Sequence, residues 1–168
     1  MATKWSVRPL VTNHLKTLVD QRTDKARVTD YLTFYGLPLV LGAVAYFTGF
    51  RLRGVEGLLS GVSVFTALLF GLLVHVFTLG LRVTDDPRVP KGSRTSKLVD
   101  QLVSNVAYAV LAGIMATAVL MVAVSTTEKD RPLGVLISAI VVALLVHLLL
   151  TIFMALKRTQ AAYTAFRS

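Results

Sequence analysis

The chain has 168 residues, 54% of them hydrophobic, with a mean hydropathy of +0.66 and a formal net charge of +9. That balance excludes an ordinary soluble domain and leaves room for one compact membrane domain. Cysteine is absent, which excludes disulfides, thiolate metal sites and lipidated cysteines.

The positive charge comes from 18 Lys and Arg against 9 Asp and Glu. These cations flank apolar runs, so they read as orientation signals and headgroup contacts, not as a nucleic-acid surface. Residues 1–30 hold Lys4, Arg8, Lys16, Arg22, Lys25 and Arg27 and no long apolar core, so no signal peptide is expected. Trp5 is an aromatic of the type that sits at headgroups. Val11, Leu15, Leu18 and Val19 form an apolar helical stripe, opposite Asn13, Lys16, Asp20 and Arg27. The pattern predicts an amphipathic helix from residue 8 to about 29, lying on the membrane or against the ends of the spans. His14 is expected to be a solvated juxtamembrane residue.

The first apolar run, Tyr31 to Phe50, lies between Asp30 and Arg51. Pro38 falls near its start, and Gly42, Ala45 and Gly49 give it a small-residue row. A short linker to Glu56 predicts an antiparallel hairpin with the next span. Gly57 to Leu81 follows with no charge at all, long enough to cross a hydrocarbon core of about 30 Å. Ser60, Ser63, Ala67, Gly71, His75 and Thr78 make a small and polar stripe along it, and Gly57 with Gly61 gives the spacing that lets helix backbones approach. Pro87, Pro90, Gly92 and Ser93 then mark a polar loop.

The third run, Gln101 to Thr127, steps through Asn105, Ala109, Gly113 and Thr117 with Ala112 and Ala116 beside them. It should be central in the bundle. The fourth, Pro132 to Leu156, repeats Ala139, Ala143, His147, Thr151 and Ala155 every four residues. Lys157 and Arg158 close it, before a tail with Tyr163 and Phe166.

These runs predict an all-α membrane protein with four transmembrane helices as two antiparallel hairpins. Its parts are an amphipathic cytoplasmic segment at 1–30, a transmembrane domain at 31–156 and a basic cytoplasmic tail at 157–168. The spans lie at about 31–50, 57–81, 101–126 and 132–156. Fourteen Lys and Arg fall in the N-terminal segment, the middle loop and the tail, against four in the two short linkers. Both termini should therefore be cytoplasmic. An internal echo, Leu72–His75 with Leu144–His147 and Leu18–Gln21 with Leu98–Gln101, raises a duplicated hairpin as a reading.

No Asp, Glu, Lys or Arg lies inside any span, although proton-coupled exporters usually keep a membrane carboxylate there. Small four-helix multidrug exporters share the layout but need a glutamate in the first span, which this chain lacks. The intramembrane ionisable groups are His75 and His147, about 9 Å and about 13 Å from the cytoplasmic ends of their runs. They read either as a metal pair, relay or polar pore lining, or as neutral rings that lock packing. Candidate pore or polar-lining residues are His75, His147, Ser63, Thr78, Asn105 and Thr151. Candidate helix-packing residues are Gly57, Gly61, Gly71, Ala109, Gly113, Thr117 and Ala143. No catalytic constellation, metal site or cofactor is expected.

The rows Tyr31-Leu-Thr-Phe-Tyr-Gly-Leu-Pro38, Ser63-Val-Phe-Thr-Ala-Leu-Leu-Phe-Gly-Leu-Leu73 and Leu102-Val-Ser-Asn105 resemble small four-span bacterial membrane proteins of anti-phage defence loci. The resemblance covers about residues 28–125 and carries over no functional residue. It implies an effector or sensor of a bacterial inner membrane that works with soluble partners, oligomerising and disturbing the bilayer. The expected partners are the lipid bilayer, further copies of the chain and a cytoplasmic protein. A passive scaffold that recruits a cytoplasmic partner and a phage holin are the alternatives.

Overall fold

The computed structural model describes residues 7–17, 31–87, 89–90, 92–128 and 131–167. Trp5, Leu18, Val19 and the rest of the helix expected up to residue 29 lie outside the described residues. The elements are α1 (Arg8–Thr17), a π-helical turn (Leu32–Gly36) that runs into α2 (Leu37–Phe47), α3 (Val55–Asp85), α4 (Arg94–Thr126) and α5 (Val135–Arg167).

Helices α3, α4 and α5 are long and apolar enough to cross a membrane. At 1.5 Å per residue each is at least about 46 Å long, well beyond the hydrocarbon core. The first apolar helix, Leu32–Phe47, is shorter. It covers about 24 Å. Gly49 is the reason it stops before Phe50. Its φ of 67° is left-handed. Phe50 N–H returns to Ala45 O at 2.9 Å and Gly49 N–H to Tyr46 O at 3.1 Å. This is a Schellman cap, so Gly49 ends the helix rather than extending its small-residue row.

Along α3, the buried side chains are Val55, Val62, Leu69, Val76 and Val83. A seven-residue step keeps one seam turned toward one partner. That partner is α4, which also packs against α5 and α1 and is the central helix. The seam is closest at Gly113, where an added Cβ would stand 2.5 Å from Thr66 Oγ1. Ser93 caps the start of α4, its hydroxyl accepting from Ser96 N–H at 3.3 Å.

α2 lies along α5 and does not pack on α3, although the two are consecutive. The hairpin expected from their short linker is therefore not a packed pair. The linker instead crosses the end of the bundle. Leu133 N–H donates to Leu52 O at 2.9 Å. Leu52 N–H donates to the hydroxyl of buried Ser138 at 3.0 Å. These bonds tie the linker to the start of α5. The α2–α5 crossing is tight at Gly42, where a Cβ would lie 3.0 Å from that of Ala143 and 3.1 Å from Ala139 O. Across the bundle the order is thus α3, α4, α5, α2, with α1 on α4 at the end where α3 leads into α4. α5 continues unbroken past Leu156 to Arg167.

Candidate functional site

Pro38 prepares the site. A proline has no N–H, so the carbonyl four residues earlier loses its helical donor. That carbonyl is Phe34 O, inside the π-helical turn, a local irregularity that often marks function. His147 on α5 fills the vacancy, its Nδ1–H donating to Phe34 O at 2.9 Å. With Nδ1 fixed as donor, Nε2 is the acceptor, and the Tyr108 hydroxyl of α4 donates to it at 2.8 Å. Both ring nitrogens of a neutral imidazole are thereby used. Tyr35 adds a tilted ring contact to His147, centroids 5.2 Å apart.

α1 completes the cluster. Its His14 is 0% exposed, not solvated as its position before the first span suggests. The imidazole lies flat on the Tyr108 ring, with centroids 3.8 Å apart and planes 4° from parallel. Nδ1–H donates to Asn105 Oδ1 at 3.0 Å, and Asn105 is also 0% exposed. The Thr17 hydroxyl has one proton and two acceptors in reach, Asn105 Oδ1 at 2.7 Å and His14 O at 2.6 Å. Arg158 of α5 donates to Thr17 O and to Gln101 Oε1. The Tyr31 hydroxyl donates to Leu15 O at 3.2 Å. Helices α1, α4 and α5 and the π-helical turn therefore meet at one polar seat.

The seat is incompletely satisfied. His14 Nε2 and Asn105 Nδ2 are buried with no hydrogen-bond partner among the described residues. Burial pushes the His14 imidazole down from 6.5 to about 4; the Asn105 hydrogen bond opposes this, and the neighbouring His147 and Arg158 add to it.

The residues singled out from the sequence fall into separate groups. Asn105 and His147 belong to the seat. Thr151 is buried one turn beyond, its hydroxyl donating to His147 O at 2.8 Å. His75 and Thr78 are exposed on α3, which does not touch α5, so His75 and His147 do not meet. Ser63 is half-buried on α3. Gly57, Gly61 and Gly71 are exposed, with nothing within 4 Å of an added Cβ. The small stripe of α3 thus points away from the bundle, opposite the Val and Leu seam. Ala109 and Gly113 lie buried on α4, and Ala143 faces Gly42. Thr117 holds a buried hydroxyl without a partner among the described residues. The echoed Leu-Leu-Val-His segments sit in unlike settings, one turned outward and one in the seat.

His14, Thr17 and Tyr108 were not candidates. The signal for the first was present: residue 14 lies three after Val11 and four before Leu18, on the apolar stripe itself. Among the described residues, no three His, Asp or Glu side chains come together as a metal site would require. No family model, curated protein or solved structure matches the chain.

Proposed function

We propose that this chain is a non-enzymatic, multi-pass membrane effector or sensor, and that α1 is the part that receives its signal. The observation that carries the reading is the way α1 is held. Its deepest contacts are the polar groups of His14, Thr17 and Asn105, with two buried polar atoms left over. Such a contact depends on geometry and protonation, and partial satisfaction makes it easier to open than an apolar one.

On this reading Leu32–Phe47 is a fourth, short crossing, accommodated by local thinning of the bilayer. Both termini and the α3–α4 loop face the cytoplasm of a bacterial inner membrane, as the Lys and Arg distribution supports. The outward stripe of α3 supports self-association: an exposed imidazole at His75 is costly against lipid, and Gly57, Gly61 and Gly71 leave room for another backbone. Work in anti-phage defence is supported by the resemblance of the Tyr31–Pro38, Ser63–Leu73 and Leu102–Asn105 rows. In that setting, opening the seat would let copies regroup and permeabilise the membrane.

The test is dye release from vesicles reconstituted with the full chain or with Asn105→Leu, which removes the acceptor of His14 and one of the two acceptors of Thr17. The effector reading expects tight vesicles with the native chain and leakage with the variant. Vesicles that stay tight with both, while the variant loses a cytoplasmic partner captured by the native chain, would move the assignment to a scaffold.

A further inference from the structure

We propose that α1 is an acid-released plug: protonation of His14 expels it from the bundle and opens a polar cavity bordered by Asn105, Tyr108 and His147. The proposal rests on the reading of α1 as the moving part, and adds what moves it.

The argument begins with the ring. Nδ1–H already donates to Asn105 Oδ1, so a second proton must go to Nε2. That atom is buried and has no acceptor among the described residues. An imidazolium there would be an unpaired N–H and an unpaired charge together. The surroundings on each element oppose the charge. On α4 it faces the Tyr108 ring and the Asn105 amide. On α5 it faces the Arg158 guanidinium, whose charge disfavours a cation at His14, and the His147 ring, which adds no anion. Tyr35 of the π-helical turn and Tyr31 just before it stand near the seat, and on α1 itself Thr17 does. No carboxylate among the described residues acts on the ring. Once α1 leaves, the imidazolium gains water and the conflict ends.

Removal of α1 also changes what remains. Asn105 loses both of the bonds to its Oδ1, and Tyr108 loses the ring stacked on it. The exposed wall is then polar at its centre, with the Tyr108–His147 bond at its back. Water follows polar groups into such a gap.

The midpoint is bounded by the free histidine value of 6.5 and the docked value of about 4, so the undocking constant should rise roughly thirtyfold between about pH 7.5 and about pH 5. The absence of cysteine makes the measurement direct. The full chain carries spin labels at Thr12→Cys and Ala118→Cys, in lipid nanodiscs, and the label distance is followed from about pH 7.5 to about pH 4.5. A second pair, Ala67→Cys with Ala118→Cys, reports whether α3 and α4 stay together. The expected result is a longer α1 distance on acidification, an unchanged α3–α4 distance, and no acid response in His14→Gln or His14→Phe. An unmoved α1 distance down to about pH 4.5, or the same transition in both His14 variants, overturns the proposal. If both variants are undocked already at about pH 7.5, the nitrogen chemical shift of the native His14 ring decides. Protonation that coincides with the distance change supports the plug, and a ring that stays neutral through it overturns the plug. Asn105→Leu separates the two levels. Release of α1 by that variant, with no acid response in the native chain, removes the trigger alone, whereas a docked α1 in the variant removes the moving part as well.

Discussion

Along the seam between α3 and α4, Val55, Val62, Leu69, Val76 and Val83 repeat every seven residues, and Gly113 brings the backbones together at Thr66. Where α1 meets α4 and α5, the buried groups are His14, Thr17 and Asn105, an aromatic stack, and the Arg158 guanidinium over a helix-end carbonyl. Both contacts exclude solvent, but by different means. The seam works by shape. In lipid it gains from close packing of many atoms, none of which needs a particular protonation state. The seat works by donor and acceptor matching, and one proton on one ring nitrogen breaks the match. A rigid frame and a releasable element can therefore be built into one short chain.

The largest effect should come from breaking the seam. Gly113→Leu places bulk where even a Cβ would meet Thr66 Oγ1 at 2.5 Å. Overpacking of this kind costs about 3 kcal/mol or more when the neighbour is a helix that cannot move aside. The expected outcome is loss of folded protein in mild detergent, read by thermal unfolding and by size-exclusion profile, for the bundle as a whole.

Next in size is acidification, which should act on the seat alone. Docked His14 binds its proton more weakly than free His14, so the undocked state takes up more protons below 6.5. Docking is thus fully favourable above 6.5, weakens as the pH falls, and stops weakening near 4. The fall from 6.5 to about 4 corresponds to about 3 kcal/mol. Limited proteolysis near residue 12 should speed up through this window while the α3–α4 core stays resistant.

Asn105→Leu should cost about 1–3 kcal/mol of α1 docking, because it leaves the His14 Nδ1–H buried without its acceptor, while the Thr17 hydroxyl keeps His14 O. Tyr108→Phe is milder. It keeps the ring under His14 and removes the hydroxyl that donates to His147 and also pairs with Tyr35, a loss of about 1 kcal/mol per bond. Its expected signature is a small drop in thermal stability with α1 still docked and still sensitive to acid.

These two regions were not equally legible in the sequence. Three long uncharged runs announce α3, α4 and α5, and the steps through Ala109 and Gly113 mark α4 as the crowded middle helix. The side of α3 that packs was harder to see. Small residues at Gly57, Gly61 and Gly71 suggest a contact face, yet α4 takes the Val and Leu seam, because α4 itself supplies the small residue at Gly113. Pairing of consecutive spans also failed as a guide for α2. Ser138 and Leu133 hold the linker at Leu52 and carry the chain across the end of the bundle. The seat was least legible, since it joins residues 14, 34, 105, 108, 147 and 158. Pro38 hints at a freed carbonyl, and His14 lies on the apolar stripe of α1, but no spacing rule links either one to Tyr108 or His147.

The central claim is that α1 is held by the polar seat independently of the seam. Hydrogen–deuterium exchange on the full chain in nanodiscs, native against Asn105→Leu at about pH 7.5, tests it most directly. The account predicts that amides of 8–17 lose their protection in the variant while those of 106–123 on α4 keep theirs. Unchanged protection in 8–17, or loss of protection in both segments together, would contradict it.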